Sequence, residues 1–331
     1  MKYTETGSTD PAFNLAFEEY LLENRTDDDY VILWQNDRTV VIGRNQNALE
    51  EINRDYVEKN GIRVVRRATG GGAVYHDLGN LNYSVITDDV QGTGMDRFTV
   101  PVCRALEGMG IHAETSGRND ITVDGKKISG VAQRIFRNRI LHHGCILFDA
   151  DTSVLSCALN PDPSKFESKS VKSVSSRVGN IRDFLDDSRK GMSIGDFRDV
   201  LRTELLKGNV QRFSPDDAEI MIINRIADEK YRTWEWTYGH SPKYTYKARK
   251  RFPEGLLDIR LDVREGIIHD VAFFGDYMAV STCEPAVDAL KGVRYEYDSV
   301  RAALEDSLLE KEIVKMFGGI SSEEILEVMF L

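Results

Sequence analysis

The sequence predicts an α+β protein with two domains, and three observations support this fold class. Several β-rich segments follow one another across short polar turns, which favours a mixed, largely antiparallel sheet over a doubly wound parallel one. The chain has 331 residues, more than a single domain usually holds. Its composition shifts after a basic stretch at 243–251. We therefore expect a large domain of mixed sheet and helices over residues 1–249, and a small α+β domain over residues 250–331.

The large domain is predicted to begin with a helix, because Asp10 suits an N-cap and Pro11 suits the first helical position. Two β-rich segments, 30–34 and 39–42, are separated by the polar Asn36-Asp37-Arg38 and are predicted to pair as a hairpin. Further on, Asp124-Gly125 separates two β-rich runs and is a strong signal for a type I′ hairpin turn. The other expected elements are a helix ending at 60–61, strands at 62–65 and 82–86, a helix at 101–109 and a strand at 143–148.

The small domain is predicted to combine a pair of strands with helices. A capping box of Ser321 and Glu324 should start the last helix. The other expected elements are strands at 255–263 and 267–274 and helices at 285–290 and 300–317.

Composition excludes several classes of function. The net charge of −11 argues against general nucleic-acid binding, which needs a basic surface. No apolar run reaches the roughly 20 residues that cross a bilayer, and the N-terminus has no signal-peptide pattern. Four widely spaced cysteines predict reduced thiols. We expect a cytoplasmic protein that binds neither nucleic acid nor membrane.

A glycine triplet, Gly70-Gly71-Gly72, follows a predicted strand and suggests backbone N–H groups that a ligand can approach. It is not a Walker A loop, because no Gly-Lys-Ser/Thr follows; a simple loop is the alternative. Arg66 and Arg67 precede it, and a guanidinium matches a phosphate well. Since neighbouring strand residues point to opposite faces, we expect one of them, Arg67, to face the site.

A lysine pair follows the Asp124-Gly125 turn, and its members should also point to opposite faces. Solvated lysines are one interpretation. The other is that Lys127, which begins Lys-Ile-Ser-Gly, reaches a ligand across Gly130, where a bare backbone allows close approach. An ammonium placed there could neutralise a carboxylate and an α-phosphate while charge moves between them. Together with the glycine triplet, this pattern is suited to activating a carboxylic acid with ATP.

These motifs, in this order, resemble the lipoate–protein ligase family. The resemblance spans essentially the whole chain, from Asp10–Ala16 and Val40–Arg44 to Trp234-Glu235-Trp236 and the small C-terminal domain. It rests on Arg67–Asp77, the Gly-Arg-Asn-Asp motif at 117–120, Lys127–Gly130, His142-His143-Gly144, Asn160-Pro161 and the motif at 173–178.

The resemblance implies a catalytic large domain of the biotin/lipoate-ligase type with a C-terminal accessory domain. Lipoate, or octanoate as an alternative, would react with ATP and Mg²⁺ to give an acyl-adenylate and pyrophosphate. A lysine of an acceptor protein would then take the acyl group and release AMP. The family's acceptors are the lipoyl domains of 2-oxoacid dehydrogenase E2 subunits and the glycine-cleavage H protein. We expect a monomer.

The resemblance also assigns site residues. Lys127 would contact both lipoate and nucleotide. The ATP-binding positions would be Arg67, Gly72, Ala73, Val74, Tyr75 and Lys127. The lipoyl pocket would be lined by Thr69, Arg134, His143 and Trp34, although Trp34 is equally well explained as core. Asp120 is the candidate for holding Mg²⁺, with a structural role in its turn as the alternative.

Several alternatives stay open at this point. Cys145 follows His142-His143-Gly144 and could be the nucleophile of a related acyltransferase that moves octanoyl groups from acyl carrier protein without ATP; a small core residue is the other interpretation. A ligase-like binding protein without catalysis is a further class.

His76 beside Asp77 is either a general-base pair or a turn-stabilising pair. The basic stretch at 243–251 is either a docking surface for acidic acceptors or a solvated linker.

Overall fold

The computed structural model describes residues 1–46, 48–88, 94–116, 119–159, 178–206, 210–238, 246–264, 266–306 and 308–331. The motifs predicted at 117–118, 160–161 and 173–177 lie outside these residues. The strands are β1 Lys2–Glu5, β2 Tyr30–Trp34, β3 Thr39–Ile42, β4 Arg63–Arg66, β5 Val74–His76, β6 Asn80–Asp88, β7 Glu114–Ser116, β8 Asp120–Val123, β9 Lys126–Phe136, β10 Arg139–Leu147, β11 Gln211–Arg212, β12 Tyr246–Phe252, β13 Gly255–Arg264 and β14 Ile267–Gly275. The helices are α1 Pro11–Asn24, α2 Ala48–Glu51, α3 Arg54–Lys59, α4 Asp96–Glu107, α5 Thr152–Ala158, α6 Ile194–Leu205, α7 Asp217–Ile226, α8 Trp234–Thr237, α9 Glu284–Leu290, α10 Tyr297–Leu304, α11 Leu309–Met316 and α12 Ser322–Met329, with a 3₁₀ turn at Ile181–Phe184 and a π-helical turn at Ala227–Tyr231.

A central eight-stranded sheet organises the large domain, in the order β11-β1-β2-β6-β10-β9-β8-β7. β1 runs parallel to both of its neighbours, and every pair from β2 across to β7 is antiparallel. The predicted α+β class with a mixed sheet is confirmed. Since antiparallel neighbours place directly opposite residues on one face, this sheet can align side chains that are distant in sequence.

The predicted hairpin of β2 and β3 is wrong. β2 pairs with β1 and β6 in the central sheet, whereas β3 pairs with β4 and β5 in a separate three-stranded sheet. All residues of both strands are buried. A strand buried on both faces shows no alternation of polar and apolar residues, so its sequence does not indicate which strands it pairs with.

Helix α1 begins as predicted, with Asp10 accepting a hydrogen bond from the backbone N–H of Ala12 (3.2 Å) and Pro11 at the first position. It packs on the central sheet and is buried along most of its surface. Two of its buried residues are the carboxylates Glu18 and Glu19. Because an isolated buried charge is strongly disfavoured, each must be paired.

The hairpin of β8 and β9 is also confirmed. Asp124 and Gly125 have φ values of 50° and 76°, as a type I′ turn requires at its two central positions. The register of the pair shifts between Ile121 and Thr122, which leaves Ile128 extra in β9. The hairpin therefore delivers Lys127 to the sheet at a local bulge.

The small domain packs the antiparallel sheet β12-β13-β14 against α9 to α12 around its own apolar core. The basic stretch forms most of β12 and is not a linker; residues 243–245 lie outside the described chain. Three of its cations pair within this domain: Lys247 with Asp258, Lys250 with Glu327 and Arg251 with Asp276. The boundary predicted after residue 249 falls inside β12, so we propose that the small domain begins before Tyr246.

Two predicted helices differ in extent. α4 begins at Asp96, so Pro101 lies inside it, where it removes one backbone hydrogen bond. The single helix expected over 300–317 is two helices, α10 and α11, and the first ends at Leu304. Both helices present apolar residues to the same core. The capping box of Ser321 and Glu324 forms as predicted.

The two domains contact each other through the glycine turn. The N–H of Gly71 donates to the carbonyl of Tyr277 (3.2 Å), and the N–H of Ile135 donates to the carbonyl of Val280 (3.0 Å). Within the described chain, no helix is long and apolar enough to cross a membrane.

The burial of His142 should make the stability of the folded protein depend on pH. Its ring is fully buried, stacked on Phe98 at 4.5 Å, and burial lowers its pKa to about 3. An unfolded histidine binds its proton near pH 6.5, so unfolding takes up a proton between pH 6.5 and 3. Stability should therefore fall as the pH drops through this window, by about 1 kcal/mol per pH unit for this residue. Urea denaturation at several pH values should show a shallower dependence for His142→Gln; an unchanged slope would contradict the assignment.

Candidate active site

One face of the central sheet aligns the predicted site residues in rows. The strand register places Trp34, Asn82, Cys145 and Gly130 side by side, with Asp120 at the end of the row. The adjacent row contains Ser84, His143 and Ala132. Helix α1 covers this face from above.

A cleft of about 590 Å³, including its solvent-open mouth, lies between this face, α1 and the glycine turn. Its walls combine an apolar lining with a few polar groups. The lining residues are Leu15, Trp34, Val41, Arg67, Gly71–Val74, His76, Asn82, Asn119, Lys127, Gly130–Ala132 and His143–Cys145. The cleft therefore brings the glycine turn and Lys127 together, although about fifty residues separate them in sequence. Trp34, Gly72, Ala73 and Val74 line it as well.

Lys127 reaches the cleft across Gly130. A Cβ atom at residue 130 would lie 3.0 Å from both Cε and Nζ of Lys127, so the missing side chain makes room for the ammonium. Nζ lies 2.7 Å from Oδ1 of Asp120, and both side chains are about one-third exposed. That Oδ1 atom forms no aligned hydrogen bond in the described chain. The contact is thus an ion pair that an incoming ligand can replace.

Arg67 holds the glycine turn in shape. Its buried guanidinium donates to the carbonyls of Gly70 (2.6 Å), Gly72 (2.9 Å) and Val41 (3.2 Å), and to the hydroxyl of Thr69 (3.0 Å). Burial lowers the pKa of Arg67 to about 10, which leaves it charged at neutral pH. Between these carbonyls Gly71 adopts φ +89°, a conformation that favours glycine. The hydrogen bonds of Arg67 therefore hold the backbone of the glycine turn, and its positive charge lies beside the cleft.

Arg66 points the other way, as strand alternation requires. Its guanidinium is buried and donates to the carbonyls of Gly43 (2.9 Å), Gln46 (2.6 Å) and Thr237 (2.7 Å), among others. It therefore ties β4 to the chain around α8 and does not line the cleft.

A hydrogen-bonded chain lies beneath the cleft and includes a residue that sequence analysis did not assign, Glu18. Its carboxylate accepts from Nδ1 of His143 (3.0 Å) and from the hydroxyl of Ser84 (2.5 Å), which in turn accepts from the indole of Trp34 (2.8 Å). On the other side, Nε2 of His143 lies 2.8 Å from the hydroxyl of Thr69. Because an ionised carboxylate can only accept, Nδ1 of His143 carries the proton that is donated to Glu18. Each member thus fixes the next one in place. In the sequence Glu18 is one of three glutamates in α1, so no local signal distinguished it from the other two.

The other predicted site residues lie farther out. Tyr75 is buried in a separate apolar cluster behind the turn, and its pKa is raised to about 12 by burial. Arg134 pairs with Glu23 (2.6 Å) and Glu19 (3.5 Å) and does not line the cleft. Asp77 accepts from the backbone N–H groups of Gly79 and Asp151, which agrees with a turn-stabilising role.

No group of three or more His, Cys, Asp or Glu residues in the described chain is arranged to hold a metal ion. Asp120 is one carboxylate beside the cleft. Mg²⁺ in nucleotide sites is commonly bound by one or two carboxylates together with substrate phosphates, so a single carboxylate fits that mode.

Cys145 lines the cleft, but its environment does not activate a thiol. Burial raises its pKa, although the charge of Lys127 opposes this effect. Its sulfur lies 3.9 Å from the carbonyl of Gly130. The net effect raises the pKa of the thiol, so the thiolate needed for acyl transfer is disfavoured.

Comparison with known proteins identifies the family. A family model of the lipoyl protein ligase A/B catalytic domain matches residues 10–206, and one of the bacterial lipoate protein ligase C-terminus matches residues 241–329. The lipoate-protein ligase LplJ of Bacillus subtilis is 42% identical to this chain over 97% of both proteins. The chain belongs to the lipoate–protein ligase family.

Other relatives of this lipoate–protein ligase agree. Lipoate–protein ligase 1 of Staphylococcus aureus is 37% identical over 99% of this chain and 100% of its own length. The crystal structure of P. falciparum LipL1 in complex with lipoate has a TM-score of 0.78 at 25% identity and covers 98% of both chains. A lipoate-protein ligase A bound with ATP has a TM-score of 0.58 at 31% identity, covering 72% of this chain and 97% of its own. The predicted family, fold class and ligase activity are confirmed, and the relatives favour the ligase over the cysteine acyltransferase.

Proposed function

We propose that this ligase converts lipoate and ATP to lipoyl-adenylate in the cleft and then transfers the lipoyl group to a lysine of an acceptor domain. The observation that carries the proposal is that Lys127 and the glycine turn line one apolar-walled cleft. The reaction needs a cation beside a carboxylate and a phosphate-binding backbone at the same place.

The first step brings two anions together, the lipoate carboxylate and the α-phosphate of ATP. Lys127, lying above Gly130, would neutralise both as the carboxylate oxygen attacks phosphorus and pyrophosphate leaves. Arg67 would contribute a second positive charge and keep the turn from Gly72 to Val74 open to the nucleotide. Positioning of the two substrates on the sheet would supply much of the remaining rate enhancement.

Mg²⁺ would shield the phosphates, with Asp120 as the residue that could hold it after Lys127 turns to the substrate. The lipoyl chain would extend along the apolar wall formed by Trp34, Val131 and Ala132, with His143 fixed beneath it by Glu18. In the second step the neutral amine of the acceptor lysine attacks the carbonyl carbon of the mixed anhydride. The C–N bond forms, the acyl C–O bond to phosphate breaks, AMP leaves, and the proton lost by the nitrogen passes to water or to phosphate.

The natural acceptors are proposed to be lipoyl domains of E2 subunits and the H protein. One of the archaeal relatives was solved as a lipoylation system with its E2 lipoyl domain. The test is to incubate the purified enzyme with free lipoate, ATP, Mg²⁺ and either acceptor, and to measure the mass of the acceptor. A lipoyl mass increase that requires ATP supports the proposal. An acceptor modified from octanoyl acyl carrier protein without ATP would overturn it.

Replacing Cys145 with serine should leave most of this activity intact. A ligase forms no thioester, and serine is close in size to cysteine. Acceptor labelling with ATP and lipoate should stay within a few-fold of the unmodified enzyme. Loss of labelling in a Cys145→Ser protein that retains its thermal stability would instead favour the acyltransferase.

A further inference from the structure

Two residues that line the cleft carry a buried side-chain nitrogen that has no hydrogen-bond partner in the described chain. Asn82 is 1% exposed and His76 is 4% exposed, and both line the cleft. Neither Nδ2 of Asn82 nor Nε2 of His76 forms a hydrogen bond with a described residue. Buried polar groups in proteins are normally paired, so two such atoms in one cleft point to a ligand that supplies acceptors.

The donor character of His76 follows from its neighbours. The side-chain nitrogen of Asn14 donates to the backbone carbonyls of Ser8 and Gln35 and to Oδ1 of Asn36. The Asn36 amide is therefore oriented with its oxygen toward Asn14 and its nitrogen on the other side. The Nδ2 group of Asn36 therefore faces Nδ1 of His76 (3.2 Å), which must accept. The proton of the neutral ring is then on Nε2. Burial lowers the pKa of His76 to about 3, so the ring stays neutral at physiological pH.

The distance from the Lys127 ammonium to Asn82 and His76 is similar to the length of an eight-carbon acyl chain. The ammonium sits over Gly130 in β9, and Asn82 is in the same row two strands away, about 10 Å at the usual strand spacing. His76 is near the next strand in the row, with its ring 6.4 Å from that of Trp34. An eight-carbon chain with bonds of about 1.5 Å extends about 9 Å. A carboxylate held by Lys127 thus places the far end of the chain beside Asn82 and His76.

We propose that Asn82 and His76 donate to the sulfur atoms of the dithiolane ring and so select lipoate over a plain fatty acid of the same length. The inference rests on the proposed function, because it takes the carboxylate to lie at Lys127. Leu15, Trp34, Val41 and Val74 surround the carbon atoms of the ring with apolar contacts.

The physical basis is a difference in pairing at the closed end of the cleft. Sulfur is a weak acceptor, but it can receive an N–H donor. The methyl end of octanoate would cover both donors and offer neither an acceptor. A substrate that leaves buried polar groups of the site without hydrogen-bond partners is used much less well than one that pairs with them.

The test uses three acids of matched length: lipoate, octanoate and the cyclopentyl analogue of lipoate, in which carbon replaces both sulfur atoms. Their kcat/KM values in ATP–pyrophosphate exchange are compared for the unmodified enzyme. We expect lipoate to exceed the cyclopentyl analogue by about tenfold, the usual effect of leaving a buried donor unpaired. Equal values for these two acids would overturn the proposal, since the ring shape would then account for selection.

Asn82→Leu should lower the preference for lipoate over the cyclopentyl analogue about tenfold, mainly by improving use of the analogue. Asn80→Leu is the matched control. Asn80 is also buried in β6 with an Nδ2 atom that finds no acceptor among the described residues, but it does not line the cleft. Its replacement should leave the preference unchanged. A preference that stays constant in Asn82→Leu, or changes equally in both variants, would refute the role of Asn82.

These outcomes are separable from failure of the proposed function. If the unmodified enzyme shows no lipoate-dependent exchange, the adenylation chemistry itself is wrong. If exchange occurs but sulfur makes no difference, only the role of Asn82 and His76 is lost. The comparison of acids in the unmodified enzyme also stands if Asn82→Leu does not fold.

Discussion

Lys127→Ala should lower lipoate-dependent ATP–pyrophosphate exchange about 10²–10³-fold, the effect of removing one transition-state donor. The ammonium reaches the cleft only because residue 130 has no side chain, and its ion pair with Asp120 can be exchanged for a ligand. Alanine removes the charge that would neutralise the carboxylate and the α-phosphate as they meet. Binding of lipoate should weaken less than the rate, because the apolar wall of the cleft is unchanged.

The neighbouring lysine provides the control for this prediction. Lys126 is exposed, projects to the other face of β9 and lies over the ring of Phe184 at 6.0 Å. Lys126→Ala removes an equal charge from the same hairpin, and exchange should stay within about twofold, since exposed charges contribute little. Near-normal exchange by Lys127→Ala would end its assignment as the catalytic cation. Equal losses in both variants would indicate a general effect of charge on the hairpin.

Arg67→Lys should lower exchange about 10²-fold and also reduce the free energy of unfolding by about 3 kcal/mol. The guanidinium satisfies the carbonyls of Gly70, Gly72 and Val41 at once. A lysine keeps the charge, but its single nitrogen cannot match three acceptors arranged around a planar fork. Buried carbonyls would lose their partners, and the turn around Gly71 would lose its shape.

Two measurements separate the effect of Arg67→Lys on stability from its effect on nucleotide binding. Urea denaturation reports the loss of stability, and the KM for ATP reports the state of the turn. The control is Arg63→Lys in the same strand, where an exposed guanidinium donates to the carbonyls of Thr9 and Asp37. That variant should be nearly as stable and as active as the unmodified enzyme. An Arg67→Lys enzyme with normal stability and a normal KM for ATP would show that the fork is dispensable.

The local parts of the fold were predictable because their causes are local. The turn at Asp124 and Gly125 needs positive φ at both positions, and the cap of the last helix needs Ser321 and Glu324 three residues apart. Such signals depend on a few neighbouring atoms. The partner of β2 was predicted wrongly, because both faces of that strand are buried and its sequence contains no alternation.

The candidate site divides in the same way. Lys127 and the glycine turn were recognisable from residue type and order, and strand alternation correctly separated Arg67 from Arg66. Glu18 and Asn82 were not assigned. Their roles depend on the register of β2, β6 and β10 and on the position of α1 above the sheet, and no short segment contains that information.

The sequence by itself determined the family, the turn chemistry, the placing of a lysine three residues before a glycine, and the class of reaction that these residues suit. Only the tertiary structure decided that Arg67 uses most of its donors on the turn, that Glu18 orients His143, and that Asn82 and His76 line the cleft with unpaired buried nitrogens. The physical reason is that hydrogen bonds and burial are properties of neighbours in space. A residue's type limits which bonds it can form, whereas the packing of distant strands selects which of them it does form.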